Sequence, residues 1–434
     1  MTTLLSHSVA RVRGILAAGA CAALVTLAAV AALPAHAVIG AADNVPAATL
    51  LLPYFEIDLN NGNGPQTSIR LSNSSATAIL ANVTLWTDWG IPTKSFLIYL
   101  VGYDTSEIDL RLVFKGHLPR TASAGQDPTD RISPKGPLSQ DINFASCTGI
   151  LPYTTLLPAA DVTALRDAHT GVASATFAGS CGGKNYGDGL ARGYVTIDTV
   201  NNCTLRNPTI AGYFGAGGSG DATNQNVMTA SATTINRSQN FSATDPLVHI
   251  EASATNPISS TSGQPTFYGR LVANTAIDNR EPLGTVWNAR YLNGGSFTGG
   301  TSIIAWQDPG QVVAQVACGN TAAPFPLALG QVVAFDEQEH VAVSPTGSLP
   351  PIPGGGATSF PVVAQRVASA SLSPFSFGHL ILNFNQYSGS SVSVRRQSVV
   401  GVQHDASGRF SASTGAVRLF SADQAPNNQM FLFQ

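Results

Sequence analysis

Residues 70–114, RLSNSSATAILANVTLWTDWGIPTKSFLIYLVGYDTSEIDLRLVF, decide the fold. Ile79, Ala81, Val83 and Leu85 fall on one face of an alternating run, with Asn82 and Thr84 on the other. That period of two is the pattern of a half-buried strand. Ile108, Leu110, Leu112 and Phe114 alternate with Glu107, Asp109 and Arg111 in the same way, which predicts a further strand ending at Phe114. Between the two, FLIYLV at 96–101 is apolar on both faces, as in a strand covered from both sides. Gly90, Pro92 and Gly102-Tyr103-Asp104 supply turns. Consecutive strands joined by tight turns predict an all-β fold, an antiparallel β-sandwich with long loops.

Outward from this block, TLLLPYFEIDL at 49–59 predicts an opening strand broken by Pro53, followed by the turn NNGNGP. Polar, proline-punctuated sequence at 116–137 reads as a long connection. PAADVTALRDAH at 158–169 predicts a helix, with Asp161 as its cap and Val162, Leu165 and Ala168 as its apolar stripe. LARGYVTIDTV at 190–200 is another alternating strand, whereas 215–236, rich in Gly, Ser, Thr and Asn, reads as a loop. Strands resume at 247–252 and continue to the C-terminus, interrupted by a proline- and glycine-rich loop or linker at 345–361.

The N-terminus carries an address. Arg11 and Arg13 precede an apolar run over 15–33 that closes on Pro34-Ala35-His36-Ala37, the pattern of a secretory signal peptide cleaved after Ala37. No later stretch is long and apolar enough to span a membrane as a helix. Charged residues make up 11% of the chain and the net charge is −3, well below the usual charged quarter. With no Lys/Arg cluster, this balance excludes nucleic acid and anionic membrane as partners. Cys21 leaves with the signal; Cys147, Cys181, Cys203 and Cys318 remain, an even number that favours disulfides in an exported chain. Cys147 and Cys181 share one loop-rich segment and are expected to pair, with Cys203 and Cys318 paired or free. None of the four has the C-x₂₋₄-C spacing of a metal site.

The second half echoes the first. Arg70 and Asn73 precede Trp86, Asp88 and Gly90 with the spacing at which Arg290 and Asn293 precede Trp306, Asp308 and Gly310. GYVTID at 193–198 likewise resembles GHLILN at 378–383. Two homologous sandwich modules are therefore predicted, at 38–265 and 266–434, with an insertion around Cys147 and Cys181 in the first. In each copy the Trp is expected to be core and the Asp to cap a turn that the Gly closes. Each Arg is expected to pair with that Asp or lie over an aromatic ring.

Residues that could carry chemistry do not assemble into a signature. Gly179-Ser180-Cys181-Gly182-Gly183 superficially resembles a nucleophile loop but has no matching histidine context. Asp58 to Gly64 resembles a calcium loop out of register, with Ile69 where a bidentate acid belongs. His117, His169, His249, His340, His379 and His404 lack ligand spacing. The acidic FDEQEH at 335–340 and the DNRE turn at 278–281 read as solvated charges rather than a glycosidase pair. No catalytic residue, metal or cofactor is predicted.

Four stretches, NVTLWTDWGIPTKSFLIYLVGYD at 82–104, GYVTIDTVNNC at 193–203, LVHIE at 247–251 and DNREPL at 278–283, resemble an uncharacterised group of exported bacterial β-rich proteins. That resemblance implies export but no activity. More loosely, the 70–114 block is similar to immunoglobulin-like modules of bacterial surfaces, which implies two immunoglobulin-like sandwiches. The function expected is a non-enzymatic structural or binding role in the periplasm, at the cell surface or outside the cell, such as adhesion or a matrix component. A cell-surface protein or polysaccharide is the expected partner. The alternative is a carbohydrate-active protein, either a glycan-binding module or a hydrolase, which an exposed row of aromatics would favour. N-terminal sequencing of the exported protein should return Val38 as the first residue; Met1 in a membrane fraction would refute the address.

Overall fold

The computed structural model describes residues 44–119, 155–253, 265–320, 331–344, 362–388 and 391–422. The signal peptide, Cys147 and the loop at 345–361 lie outside the described residues. The first half of the chain runs β1 (Thr49–Asp58), β2 (Gln66–Asn73), β3 (Ile79–Thr87), β4 (Pro92–Leu100), β5 (Thr105–Asp109), β6 (Leu190–Val200), β7 (Met228–Asn236), β8 (Phe241–Pro246) and β9 (Val248–Ile250). One helical turn, α1 (Leu110–Val113), follows β5, and α2 (Ala159–Thr170) precedes β6. These strands make a five-stranded antiparallel sheet of order β4-β3-β6-β1-β9 and a four-stranded one of order β5-β2-β7-β8. Leu50, Val83 and Val195 of the first sheet meet Ile69, Leu71 and Ala230 of the second in one core.

The second half runs β10 (Gly284–Leu292), β11 (Gly300–Gln307), β12 (Gln331–Asp336), β13 (Val341–Ser344), β14 (Ala364–Ala368) and β15 (Phe377–Asn383). After a two-stranded ribbon, β16 (Gln386–Ser388) and β17 (Ser391–Val394), come β18 (Ser398–Asp405), β19 (Ser411–Gly415) and β20 (Val417–Ser421). Apart from the ribbon, these strands form one nine-stranded sheet, but β10 and β18 touch only where Gly284 faces Ser398. On one side of that corner lies β13-β12-β15-β10, with β20 on the far edge of β10; on the other lies β14-β11-β18, with β19 on β18. Trp287, Val332 and Leu380 of the first side pack on Ile303, Ala305 and Val400 of the second.

The two halves therefore repeat one strand order. β4-β3-β6-β1-β9 corresponds to β13-β12-β15-β10-β20, and β5-β2-β7-β8 to β14-β11-β18-β19. Register agrees too. Aligning Asp198 of β6 with Asn383 of β15 brings their neighbours Thr49 and Asn82 onto Val286 and Gln331. The core positions then coincide, Leu50 with Trp287, Val83 with Val332 and Val195 with Leu380. A one-residue slip in any strand would have reversed its facing. This order keeps the β2–β5 and β3–β6 pairings of an immunoglobulin domain. It differs in that β1 lies between β6 and β9 and β7 between β2 and β8, where a constant-type domain pairs its first strand with its second and its sixth with its seventh.

Four expectations are corrected here. The Trp motif copies fall on non-corresponding strands: Trp86 lies on β3, whereas Trp306 lies on β11, the counterpart of β2. Their equal spacing is coincidental; the 193–198 and 378–383 match is the one that follows the strand order. The strand expected to end at Phe114 stops at Asp109, whose carboxylate accepts from the backbone N–H groups of Arg111 and Leu112 and starts α1. Leu112 consequently points to solvent while Ile108, Leu110 and Phe114 stay buried. Residues 228–236, read as part of a loop, form β7, paired with β2 along its length; alternating Thr and Ala supply strand periodicity with little hydrophobic signal. Finally, Cys181 bonds to Cys318 rather than to Cys147. That bond spans a sequence separation of 137 residues and ties the two halves together, a closure of about 5 kcal/mol in the chain-entropy model. Cys203 is also disulfide-bonded.

Two glycines test the correspondence of the halves. A Cβ at Gly193 of β6 would run into the carbonyl oxygen of Trp86, and one at Gly378 of β15 into that of Phe335, the residue in the same place on β12. Gly193→Ala and Gly378→Ala should each cost about 2–3 kcal/mol in denaturant unfolding. Gly62→Ala, where nothing lies within 4 Å, should leave stability nearly unchanged.

Candidate functional site

Burial assigns the aromatic residues first. Trp86, Trp89, Trp287 and Trp306 are all buried. Trp86 stacks on Tyr194 with centroids 5.5 Å apart, and Tyr194 meets Trp306 edge-on at 5.9 Å. These rings join the outer face of the first five-stranded sheet to β11, so they form the core between the halves and present no platform to solvent. Arg270, not Arg290, lies over Trp306 (5.9 Å) and pairs with Asp308 at 3.5 Å. Arg290 pairs with Glu337 at the surface.

The expected turn chemistry is present in one copy. Asp308 accepts from the Gly310 backbone N–H at 2.8 Å, and Gly310 has φ +75°. In the other, Gly90 has φ +83° and closes its turn on the Thr87 carbonyl. Asp88 reaches instead to the Lys184 backbone N–H at 3.1 Å, and its Oδ2 is buried with no hydrogen-bond partner among the described residues. Burial pushes the Asp88 carboxyl up to about 7, against the pull of that N–H.

A polar network sits inside the same interface. The buried Asp198 accepts hydrogen bonds from the hydroxyls of Thr49, Tyr213 and Tyr268, while Arg280 Nε donates to Thr49 Oγ1 at 3.0 Å. Burial raises the Asp198 carboxyl and the nearby Arg280 guanidinium opposes it. Sequence reading placed 278–281 in a solvated turn; Asp278, Asn279, Arg280 and Glu281 are all buried instead. Asp278 is held by the Thr266 hydroxyl and the Tyr268 backbone N–H, and burial raises it as well. Every donor here is a structural partner, so the cluster positions the link between the halves.

The remaining candidates are turns. Asp58 accepts from the backbone N–H groups of Asn60 and Asn61. Asp336 accepts from those of Gln338 and His340 and contacts the His340 ring at the surface. Ser180 sits in the turn leading to the Cys181 disulfide. No group of three or more potential metal ligands occurs among the described residues.

What the sequence reading missed is a cleft. Its volume is about 540 Å³, within the size range of small-molecule sites. Its walls are corresponding segments of the two halves: Asp245 to His249, where the chain crosses from β8 to β9, and Thr414 to Arg418, where it crosses from β19 to β20. Strands β8 and β19 lie edge to edge beside it. Ser411 Oγ accepts from the Ser242 backbone N–H and donates to its carbonyl, each at 3.2 Å, and Ser413 donates to Asp245 at 2.7 Å. The floor includes Ile304, Val399 and the cross-strand pair Gly401–Gly415. A glycine within β18 facing a glycine at the end of β19 was the available sequence signal, visible only once the register is known.

Compared with known proteins, the chain matches no family model, no curated protein and no solved structure.

Two buried titrations near the α2 end of the fold have opposite signs. His169 packs between Phe55 and Phe114, with Nδ1 2.8 Å from the Arg192 carbonyl, and burial pushes it down to about 4. Its folded pKa lies below the unfolded one, so its contribution is complete above about 6.5 and is lost as pH falls toward 4. Asp88 is raised, so its ionisation costs stability as pH rises from about 4 through 7. In urea unfolding, His169→Gln should therefore cost about 2 kcal/mol less at pH 5 than at pH 7. Asp88→Asn should show the reverse, costing about 2 kcal/mol more at pH 5.

Proposed function

We propose that this chain is an exported, non-enzymatic binding protein of the bacterial envelope, built from two β-sandwich modules descended from one and acting at the cell surface or in the surrounding matrix. The modules are immunoglobulin-like in style, with their own strand order. The cleft between them carries this reading: it is a large concavity that both halves build from corresponding segments. The supporting frame is rigid, since an aromatic core, a buried polar network and the Cys181–Cys318 bond all cross the same seam.

The carbohydrate-active alternative gains no support from the tryptophans, all four of which are buried. Glycan recognition usually exposes such rings to stack on sugar faces. Cell-surface proteins and polysaccharides are the partners to try.

Fractionation followed by cross-linking of the tagged, full exported protein in its own envelope tests the proposal. A defined adduct in the envelope or outside the cell, with no turnover of a polysaccharide panel, is the expected result. Retention in the cytoplasm, or hydrolysis of any glycan by the purified protein, would overturn it.

A further inference from the structure

We infer that the cleft between the halves binds an uncharged, planar, largely apolar small molecule that lies on the bare backbone of Gly401 and Gly415. The inference rests on the binding role proposed above and names the ligand class.

Neither glycine is needed by the fold. A glycine inside a strand, as Gly401 is in β18, is destabilising by about 0.5–1 kcal/mol relative to alanine, so its pairing with Gly415, the last residue of β19, calls for a reason. Neither has a left-handed backbone. Neither is pressed by a neighbour: a Cβ at Gly415 would meet nothing within 4 Å, and one at Gly401 would find Ile304 Cβ at an ordinary 3.7 Å. Gly193 and Gly378, by contrast, are forced by a carbonyl oxygen. The first half supplies the control. Its corresponding cross-strand pair is Ser231 and Pro246, so the architecture tolerates side chains at this place. What the glycines leave is empty space over a flat stretch of backbone, as where a ligand approaches a strand closely.

The chemistry around that floor is apolar and electrically balanced. Leu52, Leu247, Val248, Ile304 and Val399 contribute the apolar lining. The charged side chains are one acid, Asp245, already accepting from Ser413, and one base, Arg418. His249 also lines the cleft, but its Nε2 accepts the Ala230 backbone N–H at 3.3 Å and its Nδ1 lies 2.8 Å from the Val45 carbonyl. One carboxylate and one guanidinium, Asp245 and Arg418, balance each other in the lining, which complements a neutral ligand. The volume of about 540 Å³ suits a molecule of drug-like size.

N-phenyl-1-naphthylamine, neutral and planar, is the probe, titrated by fluorescence into the full exported protein. Saturable binding with one site is expected. Gly415→Leu and Gly401→Leu should each weaken it at least tenfold, with an unchanged or higher melting temperature, and Gly62→Ala should bind as the parent does. The anionic relative 8-anilinonaphthalene-1-sulfonate should bind more weakly. Absence of saturable binding, equal affinity in both leucine variants, or preference for the anion would overturn the inference. An envelope adduct that forms equally well with Gly415→Leu, together with no naphthylamine binding, would sink this ligand class and leave the binding role standing.

Discussion

All nine residues of β3 are buried, and that constraint organises the molecule. A strand in a single sandwich buries one face, and its other face stays wet. In β3 the inward residues Ala81, Val83 and Leu85 meet the four-stranded sheet, whereas Leu80 and Trp86 face outward with no layer of their own half to cover them. Neighbouring outward residues Leu97, Tyr99 and Tyr194 are equally apolar. Left in water, such a face would be an aggregation surface of the kind that marks an interface. The second half covers it, bringing Trp306, Ala364 and Val399 onto the same rings. Each large aromatic buried this way is worth about 2–3 kcal/mol of transfer free energy, so the joint is a third core.

Apolar faces slide; a buried charge does not. Asp198 fixes how the halves dock because its partners come from distant parts of the chain: Thr49 on β1, Tyr213 after β6, and Tyr268 and Arg280 in the link to β10. Withdrawing the Thr49, Tyr213 or Tyr268 hydroxyl would leave the buried Asp198 carboxyl short of a donor, a penalty of about 1–3 kcal/mol. The corresponding residue in the second half is Asn383, which is neutral. One strand position thus carries a carboxyl group only where a docking partner must be registered.

Sequence periodicity reached the all-β class, the helix at 159–170 and the strands whose two faces differ in polarity. It stopped where side-chain character and location diverge. Asn82 and Thr84 mark a polar face in the sequence, yet both are buried, Asn82 donating to Tyr213 and Thr84 contacting Ser95. Asp278 to Glu281 read as solvated for the same reason, since composition says nothing about which charges will be paired in the interior. The Ile108–Phe114 alternation was accidental: Asp109 turned the chain into a helix after two matching positions, and a local cap outweighed a pattern. Cys147 and Cys181 share one loop-rich segment of the sequence, but Cys181 is bonded to Cys318, brought there by strands that sequence alone does not pair.

The repeated strand order explains why the cleft was the least legible feature. Corresponding strands share facing and register, which preserves core positions such as Val83 and Val332. Residues outside those cores were free to diverge, and the W-x-D-x-G copies show how a motif can recur without marking equivalent places. The cleft is built from the diverged residues. Its two walls have the same backbone course, but Pro246 stands where the second half has Gly415, and His249 where it has Arg418. A cleft of this kind leaves no motif, because its lining consists of the positions at which two halves of one strand order differ. Comparing the halves position by position recovers it: where the shared fold accepts a side chain in one copy and the other keeps bare backbone, the reason lies in what approaches that backbone.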